Sequence, residues 1–103
     1  SNALYFSRQP IPTRFKSDKV PFGKQVCIIP FRRDFLLEYT SLTPTPLEIA
    51  ESIDMLRVLE HGMKVKLVPT QYNTHPVDTE TDRQHVQKLL ANDPVTSLYC
   101  DQN

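Results

Sequence analysis

The uninterrupted apolar run at residues 26–29, Val-Cys-Ile-Ile, most limits what this chain can fold into. Successive side chains of a strand point to opposite faces, so an unbroken apolar run predicts a strand buried on both faces. We therefore expect residues 25–31 to form a strand within a covered sheet. Two shorter strands are predicted at residues 4–7 and 65–68. Three strands and three helices hardly cover such a sheet, so the pattern indicates a piece of a larger α/β protein.

Helix-start signals place three helices along the chain. The first is predicted at residues 32–39. The second begins with Thr45 as N-cap, Pro46 at the first position and Glu48 as the acid of a capping box, and it ends before Gly62. Its expected buried stripe has helical spacing: Ile49, Ile53, Leu56 and Leu59. The third is predicted at residues 80–90, capped by Thr79, and residues 92–103 are expected to be a mobile tail.

Charge and apolar content argue against several kinds of partner. The 103 residues include twelve Lys and Arg against twelve Asp and Glu, so the formal charge is zero. Nucleic acids and anionic membranes attract a clustered basic excess, so we expect neither as a partner. No apolar run approaches the roughly 18 residues of a membrane-spanning helix, so no membrane insertion is expected, and no signal peptide is visible.

The cysteines and the first residues carry two further expectations. Cys27 and Cys100 make a poor disulfide framework, which favours a reducing, cytoplasmic compartment. Cys27 lies in the apolar run and is expected to be a buried free thiol. Residues 1–3, Ser-Asn-Ala, are interpreted as the remnant of an expression tag, and the first two are left out of the predicted fold.

The residue types alone identify no catalytic residue. With nine prolines and only two glycines, the chain cannot build a glycine-rich phosphate loop. Its three histidines lack the spacing of zinc ligands, and neither cysteine has a convincing histidine partner.

Two arrangements of carboxylates leave alternatives open. Glu48, Glu51 and Asp54 recur every third residue, which indicates either a solvated acidic face or, at Asp54, a group that accepts hydrogen bonds from ligand hydroxyls. Asp78 precedes the predicted cap Thr79. It is therefore either a cap or surface residue, or a carboxylate at a strand-to-helix turn that suits Mg²⁺.

Five short motifs appear in an order that resembles a known family. They are Ala-Leu-Tyr-Phe-Ser-Arg at 3–8, Pro-Ile-Pro at 10–12, Pro-Thr-Pro-Leu-Glu at 44–48, Leu-Arg-Val-Leu at 56–59 with Gly62, and Val-Asp-Thr at 77–79. Together they resemble the C-terminal part of the 3-deoxy-manno-octulosonate cytidylyltransferases, the CMP-Kdo synthetases, which are related to acylneuraminate cytidylyltransferases. The resemblance runs from Ala3 to about Leu90.

The resemblance implies a nucleotide-diphospho-sugar transferase-like mixed sheet flanked by helices, of which residues 3–91 are the sugar-binding and dimerisation part. It implies a homodimeric nucleotidyltransferase that joins CMP from CTP to a 3-deoxy sugar acid with Mg²⁺, for lipopolysaccharide or surface polysaccharide synthesis. The loop that binds CTP in the family has no counterpart here, so the chain alone is expected to be inactive.

By resemblance, three residues have expected roles. Arg8 matches an arginine assigned to the sugar carboxylate, and the guanidinium fork suits that group. Asp54 stands where the family has a sugar-binding glutamate. Asp78 matches a metal-ligating aspartate, which favours the Mg²⁺ interpretation.

The chain also departs from the family pattern. Gln25 stands where the family has a sugar-contacting histidine, Ile29 where it has tyrosine, Met55 where it has glutamine, and Thr13 where it has tryptophan. A sugar hydroxyl left unpaired in a buried site costs about 1–3 kcal/mol, so unmodified Kdo is expected to bind poorly. The alternatives are an acylneuraminate or 8-amino-Kdo cytidylyltransferase, and a non-catalytic dimerisation module derived from the family.

Overall fold

The computed structural model describes residues 1–99, which contain five helices. They are α1 (Arg33–Ser41), α2 (Pro46–Glu51), α3 (Met55–Glu60), α4 (Glu80–Ala91) and α5 (Thr96–Tyr99). The chain divides into an N-terminal unit, Ser1–Thr70, and a C-terminal unit that begins at Gln71. Within residues 1–99, no helix combines the length and apolar character that crossing a bilayer requires.

The predicted sheet is not found among residues 1–99. The β structure in residues 1–99 consists of one isolated antiparallel bridge, between Asn2 and Lys66. Residues 25–31 make no backbone hydrogen bond to another segment there, and a strand exists only where its N–H and C=O groups pair with a neighbour. The mixed-sheet prediction is therefore not confirmed.

The apolar run at residues 26–29 is also not buried. Ile28 is 80% exposed and Ile29 is 38% exposed, and the thiol of Cys27 is exposed as well. The predictions of a strand covered on both faces and of a buried thiol at Cys27 are wrong here, because the described residues supply no layer to cover the run. Cys100 lies outside the described residues.

The predicted second helix is broken into α2 and α3. Ser52 has φ 54° and ψ 48°, a left-handed conformation that ends α2. In one continuous helix the carbonyls of Glu51 and Ser52 would accept from the backbone N–H groups four residues further on, about one turn away. Here both accept instead from the guanidinium of Arg8. The prediction of one helix is wrong because a side chain more than forty residues away takes those acceptors.

The core of the N-terminal unit is small and centred on α3. Met55, Leu56 and Val58 are at most 4% exposed, and Ala3 completes the buried apolar set. The backbone of the first residues pairs with the segment after α3, since Ala3 N–H donates to Val65 O at 2.8 Å. Residues 1–3, predicted to be a tag remnant, thus take part in this pairing.

A buried ion pair joins α2 to α3. Arg57 donates from Nε and Nη2 to the two carboxylate oxygens of Glu48 at 2.8 and 2.6 Å. Glu48 also accepts from the backbone N–H of Thr45 at 3.2 Å, which confirms its predicted part in the capping box. The guanidinium of Arg57 lies 4.9 Å from the ring centroid of Tyr39, so α1 packs on the same pair.

The C-terminal unit is organised by the start of α4. Thr79 Oγ1 accepts from the backbone N–H of Asp82 at 3.1 Å, and Asp82 Oδ2 accepts from the backbone N–H of Thr79 at 3.1 Å. This capping box confirms the predicted cap. The helix α5 lies within the segment that was predicted to be a mobile tail.

Candidate functional site

The N-terminal unit contains an open groove of about 770 Å³. It is lined by residues 5–14, residues 22–25 and Ile53, and we call it the basic groove. The segment at residues 8–14, with two prolines, forms nearly half of its lining, and the peptide bond between Ile11 and Pro12 is cis. All of the lining except Ile53 therefore comes from the connection before α1, which has no regular secondary structure.

The basic groove is lined by cations. Arg8, Arg14 and Lys24 belong to its lining, and no carboxylate of the described residues does. The guanidinium of Arg14 lies 4.5 Å from the ring centroid of Phe22, so the ring supports it from one side. Arginine matches carboxylate and phosphate groups bidentately, so the groove suits an anionic ligand.

Arg8 is held at its backbone and at its side chain. Its backbone N–H donates to Glu51 Oε2 at 2.9 Å. Its guanidinium donates from Nε to the carbonyl oxygen of Glu51, and from Nη2 to the carbonyl oxygen of Ser52 at 2.8 Å. These carbonyls end α2, where helix acceptors lack intrahelical partners and favour a cation.

The carboxylate of Glu51 accepts hydrogen bonds from three donors of the Tyr-Phe-Ser-Arg segment at residues 5–8. Besides the Arg8 N–H, its carboxylate accepts from the Ser7 hydroxyl at 3.0 Å and from the Tyr5 hydroxyl at 3.2 Å. The N–H of Arg8, followed by these two hydroxyls, lowers the pKa of Glu51 below its ordinary value. Glu51 is thus a carboxylate with three donors, whereas the sequence analysis placed it on a possible solvated face.

Sequence comparison decides the family. A profile of the family described as Cytidylyltransferase matches residues 1–65, which include the whole basic groove. The chain belongs to the cytidylyltransferase family.

Individual relatives confirm the predicted resemblance to CMP-Kdo synthetases. The chain is 43% identical over 90 residues to a 3-deoxy-manno-octulosonate cytidylyltransferase of Solibacter usitatus, covering 86% of this chain and 36% of the relative. It is 41% identical over 99 residues to that of Geotalea uraniireducens, covering 85% of this chain and 39% of the relative. The chain thus spans well under half the length of these relatives.

Two of the predicted sugar-contacting residues line the basic groove. They are Arg8 and Gln25. The other three do not belong to its lining: Asp54 is exposed just before α3, Ile29 is 38% exposed, and Met55 is 4% exposed within the core. Ile53, next to Asp54, does reach the groove.

Asp78, the predicted metal ligand, lies in the C-terminal unit and outside the matched region. Its side chain is exposed, and its backbone N–H donates to Asp82 Oδ2 at 3.2 Å. Because Thr79 is the cap, the carboxylate of Asp78 is not used for capping, and its predicted role as a metal ligand stays a prediction. Among residues 1–99, no three His, Cys, Asp or Glu side chains cluster as metal ligands.

Sequence reasoning missed Arg14, Lys24 and Glu51. A signal for the two cations was present, since residues 8–24 contain five Lys and Arg and a single acidic residue, Asp18. That local basic excess is hidden in the neutral total charge. The role of Glu51 had no local signal, because its partners lie 43 to 46 residues away.

Proposed function

We propose that this chain is the sugar-facing part of a cytidylyltransferase that transfers CMP from CTP to a 3-deoxy sugar acid, Kdo or a close relative. The observation that carries the proposal is the cationic lining of the basic groove, with Arg8 fixed at its wall. The names of the relatives supply the substrate class. The product would serve lipopolysaccharide or surface polysaccharide synthesis in the cytoplasm.

In this proposal the groove binds and orients the sugar acid. The guanidinium nitrogen Nη1 of Arg8 makes no hydrogen bond to any described residue, so its N–H groups are available to the sugar carboxylate. Arg14 adds positive charge to the same groove. The oriented anomeric hydroxyl oxygen then bonds to the α-phosphorus of CTP while the bond to the β-phosphate oxygen breaks, which releases pyrophosphate.

The rest of the machinery lies outside this chain in the proposal. The CTP site belongs to the remainder of the full-length protein, so the chain alone is inactive. We also propose that the full-length protein is a homodimer, and sedimentation of that protein at several concentrations tests this.

Asp78 is the residue that would hold Mg²⁺. Its exposed carboxylate, free of the capping role, fits an ion that takes one or two carboxylates and completes its shell with water and substrate phosphates. When bound, Mg²⁺ would offset charge on the phosphates. One carboxylate is only part of such a site.

A modified sugar acid is the second candidate substrate. Gln25 lines the basic groove at the position where the family has a histidine, and its amide oxygen accepts from an ammonium group. This placement favours 8-amino-Kdo, with acylneuraminate as the other alternative.

Pyrophosphate release by the full-length protein tests the proposal, with CTP, Mg²⁺ and either Kdo, 8-amino-Kdo or N-acetylneuraminate. Turnover with one sugar acid, abolished in Asp78→Asn and kept in the surface control Asp34→Asn, supports it. Asp34 suits as the control because its side chain is 94% exposed. Silence with all three, in protein that does not bind CTP, favours the non-catalytic module.

A further inference from the structure

One residue, Glu51, holds both ends of Arg8. Its carboxylate accepts from the backbone N–H of Arg8 at 2.9 Å, and its own backbone carbonyl accepts from Nε of the guanidinium. The neighbouring carbonyl of Ser52 accepts from Nη2 at 2.8 Å. Arg8 is thereby held at two points of its long side chain and at one point of its backbone, all of them at the end of α2.

The carboxylate of Glu51 is the only one of these acceptors that a substitution removes. The two carbonyls belong to the backbone, and they face Arg8 only while the Tyr-Phe-Ser-Arg segment lies against α2. That segment is held there by the donors on the Glu51 carboxylate: Ser7 Oγ at 3.0 Å, Tyr5 Oη at 3.2 Å and the Arg8 N–H.

We propose that Glu51 is a positioning residue, which orients Arg8 so that its remaining nitrogen, Nη1, binds the carboxylate of the sugar acid. This inference rests on the proposed function, because it assigns the role of Glu51 to the same groove. Glu51 does not belong to the groove lining, so it acts on the ligand through the residues that it holds.

Charge and position predict opposite effects of neutralising Glu51. A carboxylate beside Arg8 offsets part of the positive charge that attracts an anionic ligand. If charge alone mattered, Glu51→Gln would strengthen binding of the sugar acid. If Glu51 positions Arg8, the same variant weakens binding. The amide has an NH2 group in place of one carboxylate oxygen, so at least one of the three hydrogen bonds that the carboxylate accepts is lost.

The test is steady-state kinetics of the full-length protein with CTP and the sugar acid that wild type uses. Glu51→Gln is compared with the matched control Glu60→Gln. Glu60, the last residue of α3, accepts from the backbone N–H groups of Leu47 and Glu48 at the start of α2, so the control makes the same charge change next to α2 without touching Arg8. Thermal midpoints establish that both variants are folded.

We expect Glu51→Gln to raise KM for the sugar acid about 10- to 100-fold, because a loss of this size corresponds to one hydrogen bond to a charged group. KM for CTP should stay nearly unchanged. Glu60→Gln should leave both values near wild type. The preference of the enzyme for the sugar acid over its neutral carboxamide should fall in Glu51→Gln only. Glu51→Asp keeps the charge but shortens the side chain, and it should also raise KM for the sugar acid.

An unchanged or lower KM for the sugar acid in Glu51→Gln overturns the inference, as does an equal rise of both KM values. If Glu51→Gln does not fold, a wild-type KM in Glu51→Asp has the same meaning. Wild-type protein that turns over none of the sugar acids instead refutes the proposed function, and the inference with it.

Discussion

Replacing Glu48 by glutamine tests how much the ion pair between α2 and α3 stabilises the N-terminal unit. Glu48 and Arg57 are joined by two hydrogen bonds of 2.6 and 2.8 Å, and their side chains are only 9% and 18% exposed. Glutamine keeps the shape of the side chain but turns one acceptor towards Arg57 into a donor. A hydrogen bond to a charged group contributes about 1.5–3 kcal/mol, so we expect the free energy of unfolding to fall by that amount.

The matched control is Glu80→Gln on α4. Glu80 and Arg83 form a pair with the same 2.6 Å distance between nitrogen and oxygen, but their side chains are 65% and 56% exposed. Water screens exposed pairs and competes for both partners, so this substitution should leave the denaturation midpoint almost unchanged. The assay is urea denaturation followed by circular dichroism, with all three proteins at neutral pH.

The pH dependence adds a second check on Glu48. Its hydrogen bonds from Arg57 lower the pKa of Glu48 below the ordinary value of a glutamate. A lowered pKa stabilises the fold above the unfolded-state pKa of about 4.3, and this contribution is lost as the pH falls through the lower folded-state value. The difference in free energy of unfolding between wild type and Glu48→Gln should therefore be constant from neutral pH to about pH 5, and it should shrink below that pH. Two results would refute this reasoning. One is an equal loss of unfolding free energy in Glu48→Gln and Glu80→Gln, and the other is a difference between wild type and Glu48→Gln that persists at acidic pH.

Three further predictions follow from the fold. Ser52 has a left-handed backbone conformation, so Ser52→Val should lower the free energy of unfolding by about 1–2 kcal/mol. Ser52→Gly should not lower it, because glycine adopts this conformation without cost, and urea titration measures both variants. Leu56 is fully buried, and Leu56→Ala should cost about 2–5 kcal/mol. Ile49 was predicted to share the buried stripe, but it is 70% exposed, so that part of the prediction is wrong, and Ile49→Ala should change stability by no more than about 0.5 kcal/mol. A similar midpoint for these two variants would contradict the assignment of the core. The chain exposes large apolar side chains, including Leu4 and Ile28, so sedimentation at rising concentration should show self-association, and a monomer throughout would contradict this.

Helix starts were predicted from the sequence because their signals are local. Thr45 with Glu48, and Thr79 with Asp82, are three residues apart, so the geometry that satisfies the first N–H groups is encoded within one turn. With Thr79 as the cap, Asp78 is not needed for capping, which removes one of the two alternatives that its sequence position left open.

The break at Ser52 and the exposure of Cys27 were not predicted because both depend on distant segments. The helix stops where Arg8 takes its carbonyls, and no pattern near Ser52 announces a partner so far along the chain. The apolar run around Cys27 has a strand-like sequence, but strand formation needs a neighbour, and residues 1–99 provide none. Of the candidate site, Arg8 and Gln25 came from the family resemblance, whereas Glu51 required the folded chain.

The fate of the α-phosphate of CTP tests the proposed function most directly. The full-length protein is incubated with Mg²⁺, a sugar acid and CTP radiolabelled at the α-phosphate, and the products are separated by charge. The proposed function predicts that the label appears in a CMP–sugar diester, only when sugar acid is present, with one unlabelled pyrophosphate released per diester. Label that stays in CTP, or that appears as free CMP whether or not sugar acid is added, would contradict it.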